Sequence, residues 1–174
     1  IEGAYQIAGN TLTMFSEEAL VQCDSTDSGC NGGSMDLAFS YVKKNGLPSE
    51  ETYPYTSGSG TTGTCDPSKE TPDVVTLTGY TDVTEDDEDA LKDAVAIGPV
   101  SVAIEADKSV FQSYKSGVLS SSSCGTNLDH GVLAVGYGTD PDSGLEYEPR
   151  RAPAPPRSII IPFPHPHPLE RRYW

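Results

Sequence analysis

The stretch that most restricts how this chain can fold is Gly131-Val132-Leu133-Ala134-Val135-Gly136. Four consecutive apolar residues between glycines suit a strand buried on both faces better than a helix. His130 stands at the entrance of that strand and is the only histidine before residue 165. An imidazole there is a general base, a metal ligand or a structural hydrogen-bonder. Spacing alone favours the structural role.

With 174 residues, a formal net charge of −15 and 36% hydrophobic content, the chain has room for one ordinary core or two small lobes sharing one. It contains no run of 18 apolar residues and no basic-then-apolar N-terminal segment, so neither a membrane span nor a signal peptide is expected within it. A pI near 4.3 argues against nucleic acid or an anionic membrane as partner, since both repel an acidic surface. An acidic compartment would relieve much of the self-repulsion. Cys23, Cys30, Cys65 and Cys124 form no C-x-x-C pair, so disulfides are a better reading than zinc. No metal or cofactor is expected.

Ile1, Ala4, Tyr5 and Ala8 fall at helical spacing and predict that the chain opens inside an amphipathic helix. Ser16-Glu17-Glu18 predicts a second helix, with a capping hydroxyl and two carboxylates at the positive end of the dipole, delivering Cys23. A third is predicted from Ser34 as cap, with Leu37, Ala38, Tyr41 and Val42 on one face, Lys43 and Lys44 at its negative end and Gly46 as stop. Its entry, Asn31-Gly32-Gly33, is either a tight loop or bare backbone against which an extended peptide lies. Ser57 to Thr64 reads as a surface loop without chemistry, and Val74 to Thr84 as a strand. The acidic run 85–89 lacks the order of a calcium loop and instead predicts a helix capped by Thr84, with Ala90, Leu91, Ala94 and Val95 inward. Val100, Val102, Ile104 and Ala106 alternate with Ser101, Ala103 and Glu105, which predicts a strand with one face in a core.

Asp129-His130-Gly131-Val132 with Ala134-Val135-Gly136-Tyr137-Gly138 resembles the histidine segment of papain-like cysteine peptidases, the cathepsin L-like branch in particular. Cys30-Asn31-Gly32-Gly33-Ser34-Met35-Asp36, Glu51-Thr52-Tyr53-Pro54-Tyr55 and Gly98-Pro99-Val100-Ser101-Val102-Ala103 resemble further motifs of that family, in its order. The resemblance runs from Ile1 to about Asp140. It implies an α+β fold of two lobes with a cleft between them, incomplete at both ends: a helical lobe over 1–78 and a β-rich lobe over 79–148. It implies His130 as the catalytic base. Gly32, Gly33, Met35, Ala103, Leu128, Asp129 and Gly131 become substrate-binding residues, with Gly33 bonding to substrate main chain. Ala103, Met35, Leu128 and Gly131 would wall an apolar pocket for the side chain two before the scissile bond, excluding a charged one for want of a buried counter-ion. By the same resemblance Cys23 pairs with Cys65, while Cys30 and Cys124 would pair outside the matched region. The implied partner is a peptide or protein in extended conformation, bound by a monomer in a secreted or lysosome- or vacuole-like acidic setting.

The family's nucleophilic cysteine and oxyanion-hole glutamine would lie upstream of Ile1, and its Asn-Ser-Trp motif in the region that diverges. From Pro149 onward the text changes: 149–174 holds all five arginines and eight of the fourteen prolines, while all six lysines precede it. The charge reverses too, with six lysines against 25 carboxylates before Pro149 and five arginines against one after it. The prolines predict extended, polyproline-like or disordered chain, excluding helix and central strand. His165 and His167 are weak as a metal pair, and a frameshift or unspliced segment is the expected origin of this tail. Serine hydrolysis is excluded for want of G-x-S-x-G. Two functions remain: a cysteine endopeptidase by family, inactive in this chain for lack of nucleophile and orienting asparagine, or a fragment or peptide-binding pseudo-enzyme of the same ancestry.

Overall fold

A computed structural model describes residues 1–70, 75–142, 144–151 and 159–161. The chain divides into two compact units, one running through Thr81 and the other beginning at Asp82.

The first unit is helical. Helix α1 (Glu2–Ile7) turns Ile1 and Tyr5 onto the core, and the Tyr5 ring meets Phe15 edge-on at 5.2 Å. Ala4 and Ala8, expected on the same stripe, face outward. Helix α2 (Glu17–Cys23) starts where Ser16 Oγ accepts the Ala19 N–H at 3.0 Å, as its sequence predicts. The same hydroxyl donates to the Tyr53 carbonyl at 2.6 Å, fastening the helix start to the 49–55 segment. Helix α3 (Met35–Asn45) buries Ala38 and Val42, leaves Leu37 outside, and stops at Gly46, whose φ of +83° suits glycine. Phe15, Ala19, Val42, Leu47 and Tyr53 form the core. Burying each of the larger side chains contributes roughly 1.5–3 kcal/mol.

Two expectations fail here. Ser34 makes no side-chain cap to α3; its own N–H is held by the Asp27 carboxylate instead. The strand expected over Val74 to Thr84 is reduced to one bridge, Leu47 with Val75, because residues 76–84 find no partner strand; Val74 lies outside the described residues.

The second unit carries all five strands found among the described residues. Helix α4 (Glu88–Ile97) is capped by Asp87, whose carboxylate accepts the Ala90 N–H at 2.9 Å, and not by Thr84. The cap follows the first inward residue, Ala90, and Asp87 stands at the right spacing from it where Thr84 does not. Strand β1 (Val100–Ile104) pairs antiparallel with β2 (His130–Ala134), Ala103 opposite Gly131 and Ile104 opposite His130. Ile104, Ala106 and Val132 form a core with Val102, Phe111 and Leu119 against it, but Glu105, expected to look outward, is buried as well, because its carboxylate is taken up by the loop before His130. β2 starts at the histidine and ends at Ala134, leaving Val135 exposed.

The sheet continues from β2 to β4 (Glu146–Arg151), which also pairs with β3 (Gly138–Thr139) and β5 (Ile159–Ile161). Pro149 therefore sits inside a central strand, paired with Ile160, contrary to the expectation that prolines exclude it. A strand residue offers its N–H to one neighbour only, so a single proline costs one ladder bond while its φ remains compatible with the strand. His165 and His167 lie outside the described residues.

Candidate active site

In the second unit the site is built where β1 ends and β2 begins. Asp129 donates its N–H to the Ile104 carbonyl at 2.9 Å. Its carboxylate accepts the N–H groups of Ala106 at 2.6 Å and Asp107 at 3.1 Å. Glu105, only 7% exposed, accepts the Asn127 N–H at 2.7 Å and the Lys108 ammonium at 2.5 Å. These bonds, Lys108 first and Asn127 next, hold the Glu105 carboxyl below its ordinary range, and Glu105 in turn raises the Lys108 ammonium. Two acidic residues thus clamp the loop before His130 onto the end of β1. The half-buried imidazole is set opposite Ile104, and Gly131 is buried beside Ala103. Leu128 is half-buried in the clamped loop.

In the first unit the Asn31-Gly32-Gly33 segment leaves a 3-10 turn (Gly29–Asn31) closed by the Ser28 N–H on the Gly32 carbonyl at 2.9 Å. Gly32 takes φ +109°, open to glycine. Gly33 is buried on the Asp27 carboxyl, and a Cβ added there would stand 2.5 Å from Asp27 Cγ. Met35 follows as the first residue of α3. Beside this segment lies an open cavity of about 470 Å³, lined among others by Cys30, Asn31, Gly32, Tyr55 and Ser57. The site residues read from the sequence therefore form two groups, Gly32, Gly33 and Met35 in the first unit and Ala103, Leu128, Asp129, His130 and Gly131 in the second.

Two features escape a reading of the sequence. Glu18, expected only to favour the helix dipole, is fully buried and accepts Thr56 N–H (2.9 Å), Thr56 Oγ1 (2.7 Å), Ser57 N–H (3.1 Å) and Ser57 Oγ (2.8 Å). Burial alone would raise its carboxyl, but these donors outweigh burial and lower it. The loop beginning at Ser57, expected to carry no chemistry, supplies one partner of Glu18, with Thr56 just before it as the other, and a wall of the cavity. Nothing in the local sequence marks this, because the partners lie 38 and 39 residues away.

The cysteines fall as the resemblance implies: Cys23 and Cys65 are bonded, and Cys30 and Cys124 are free. Cys23, Cys65 and Glu70 lie close enough to suggest a metal cluster, but the disulfide commits both sulfurs and leaves one carboxylate.

The model of the papain family cysteine proteases matches residues 1–148, and the chain belongs to that family. It is 51% identical over 142 residues to the KDEL-tailed cysteine endopeptidase CEP2 of Arabidopsis thaliana, covering 80% of this chain and 38% of that protein. It is 50% identical over 149 residues to vignain of Ricinus communis, covering 84% of this chain and 40% of that one. Among solved structures, the ragweed pollen cysteine protease Amb a 11 in its proform superposes with a TM-score of 0.84 at 37% identity, over 92% of this chain and 44% of that chain. The Carica candamarcensis protease CMS1MS2, solved with E-64, gives 0.82 at 32% identity, over 92% and 73%. The α+β fold is thus papain-like, and the chain spans about two fifths of the length of these two curated relatives.

Proposed function

We propose that this chain is part of a cysteine endopeptidase in which His130 serves as the base and Gly33 binds the main chain of an extended peptide. The observation that carries this reading is the clamped position of His130 at the start of β2, fixed by Asp129 and Glu105 on the end of β1. A base must be held still relative to the proton it takes, and backbone anchors on both sides of a strand entrance do that. Ala103 and Gly131, paired across β1 and β2 with Gly131 next to His130 in the chain, carry no charge, which supports an apolar residue two before the scissile bond. Printed names of the relatives, cysteine endopeptidase and cysteine protease, support the reaction class. The charge of −15 and the disulfide support an acidic secretory or vacuolar setting.

The 174-residue chain on its own is inactive in this reading. Acyl transfer requires a thiolate beside the base. Cys23 and Cys65 are in a disulfide, Cys30 bonds through its N–H to Thr62 at 3.1 Å in the glycine loop, and Cys124 lies in the loop clamped by Glu105. The test is incubation with a fluorogenic peptide carrying Leu or Phe two before the scissile bond, and with an epoxide such as E-64, at acidic pH under mild reduction. No turnover and no labelling are expected. Stoichiometric labelling of Cys30 or Cys124 that disappears in His130→Ala would overturn the inactivity. The second reading, a peptide-binding protein without chemistry, is favoured by the preformed Gly32-Gly33 loop; saturable peptide binding weakened by Gly33→Ala supports it.

A further inference from the structure

Two buried side-chain oxygens among the described residues have no hydrogen-bond partner, Asp24 Oδ2 and Glu50 Oε2. Both are carboxylate oxygens, and both stand beside a second carboxyl: Asp27 next to Asp24, and Glu17 next to Glu50. What each orphan lacks is a donor, and a proton held between the two acids supplies one without moving the chain.

The first pair sits under the glycine loop. Asp24 is 4% exposed and uses Oδ1 on the Thr26 N–H and hydroxyl, which leaves Oδ2 for Asp27. Asp27 carries Gly33 on its carboxyl face and accepts the Ser34 N–H on Oδ1 at 2.8 Å. The other groups facing the pair add no positive charge. Tyr41 of α3 interacts with Asp24 and donates to Glu70, itself an acid, and no lysine forms an ion pair with Asp24 or Asp27 among the described residues. With both acids ionised, two like charges would stand side by side, offset by the Thr26 and Ser34 donors and by no cationic side chain paired with either.

We infer that Asp27 holds a proton against Asp24 Oδ2, and that this proton fastens the loop carrying Gly33 at acidic pH and lets it loosen as Asp27 ionises. Asp27 is then a positioning residue for the segment that receives the peptide. The direction agrees with its surroundings: burial first, then Asp24, raise the Asp27 carboxyl above its ordinary value, against the lowering by Ser34. The sign follows. A raised folded-state value favours the ordered loop at low pH and withdraws that contribution as pH rises through it.

The role given to the loop rests on Gly33 being a peptide-binding residue, whereas the proton and its effect on the loop do not. The experiment therefore uses the disulfide-intact 174-residue chain without substrate. The protection factor of the Ser34 amide is measured by hydrogen exchange at pH 4 and pH 7, and the Asp27 carboxyl is titrated by carbon NMR. Wild type should lose protection between pH 4 and pH 7, because the closed loop holds the proton more tightly than the open one. Asp27→Asn supplies a permanent donor to Asp24 Oδ2 and keeps an acceptor for Ser34, so its protection should stay at the pH 4 level at both values. Asp27→Ala should be unprotected at both. Equal wild-type protection at the two pH values, or an Asp27 that titrates at or below its ordinary 3.8, overturns the inference. The wild-type titration decides it even where a variant fails to fold, and either result leaves the assignment of Gly33 to be tested separately by peptide binding.

Discussion

The Glu105 carboxylate accepts the Asn127 N–H at 2.7 Å and thereby ties the loop before His130 to the end of β1. Gly125 is the close-approach point of this clamp: its φ is +77°, and Glu105 Oε2 occupies the space a Cβ would need. Gly125→Ala should destabilise the second unit by on the order of 1–3 kcal/mol, read by urea denaturation. Glu105→Gln should retain the Asn127 bond and lose the Lys108 pair, Glu105→Ala should lose both, and amide protection of Asn127 and Asp129 should fall in that order. Because the Glu105 carboxyl is lowered, its contribution is present at neutral pH and lost as pH falls through the folded-state value.

Glu18 plays the same part in the first unit with more donors. Removing its carboxylate leaves the N–H groups and hydroxyls of Thr56 and Ser57 without an acceptor in a dry place. Glu18→Ala should therefore cost on the order of 3 kcal/mol in thermal or urea unfolding, and Glu18→Gln less, since one oxygen still accepts. A Glu18→Ala chain as stable as wild type would show that water fills the gap.

The Cys23–Cys65 bond spans 42 residues of sequence and joins α2 to the segment after the glycine-rich loop. In the chain-entropy model such a loop contributes on the order of 4 kcal/mol. Reduction, or Cys23→Ser with Cys65→Ser, should lower the melting temperature of the first unit accordingly. Peptide mapping without reduction should recover the Cys23–Cys65 link, and a Cys23–Cys30 link would contradict the structure.

What is legible in the sequence is what repeats with a short period. Val42 and Ala38 at helical spacing, Ile104 and Val132 on strand faces, Ser16 before Ala19 and Gly46 after α3 all act within a few residues of their partners. What stays hidden depends on long-range contact. Val74 to Thr84 has strand composition but no neighbour to pair with beyond the single bridge at Val75, whereas Pro149 sits in a strand because β2, β3 and β5 surround it. The candidate site divides the same way. His130 and the Gly32-Gly33 loop are visible as motifs, but Glu105, Glu18 and Asp27, which hold the surrounding loops, are ordinary acids whose partners only folding reveals. The disulfide pairing follows from resemblance and not from spacing, since four cysteines without a C-x-x-C allow several connectivities.

The second orphan oxygen belongs to Glu50, which uses Oε1 on the Tyr55 N–H at 2.7 Å and leaves Oε2 buried without a donor beside Glu17. Partial desolvation first, then the Glu50 charge, raise the exposed Glu17 carboxyl above its ordinary value. Glu2 of α1 adds to this repulsion and also lies near the Ile1 ammonium. A raised value means that stability is present at low pH and declines as pH rises through it, the opposite sign to Glu18 and Glu105. Glu50→Gln keeps an oxygen for Tyr55 and places an N–H toward Glu17. It should therefore stabilise the first unit at pH 7 by up to about 1 kcal/mol, solvent screening of the half-exposed pair limiting the gain. At pH 4, where the raised Glu17 carboxyl keeps its proton and supplies the donor itself, the variant should match wild type. Thermal melts of both chains at the two pH values decide it, and a Glu50→Gln chain less stable at pH 7 than at pH 4 relative to wild type would reject the pairing.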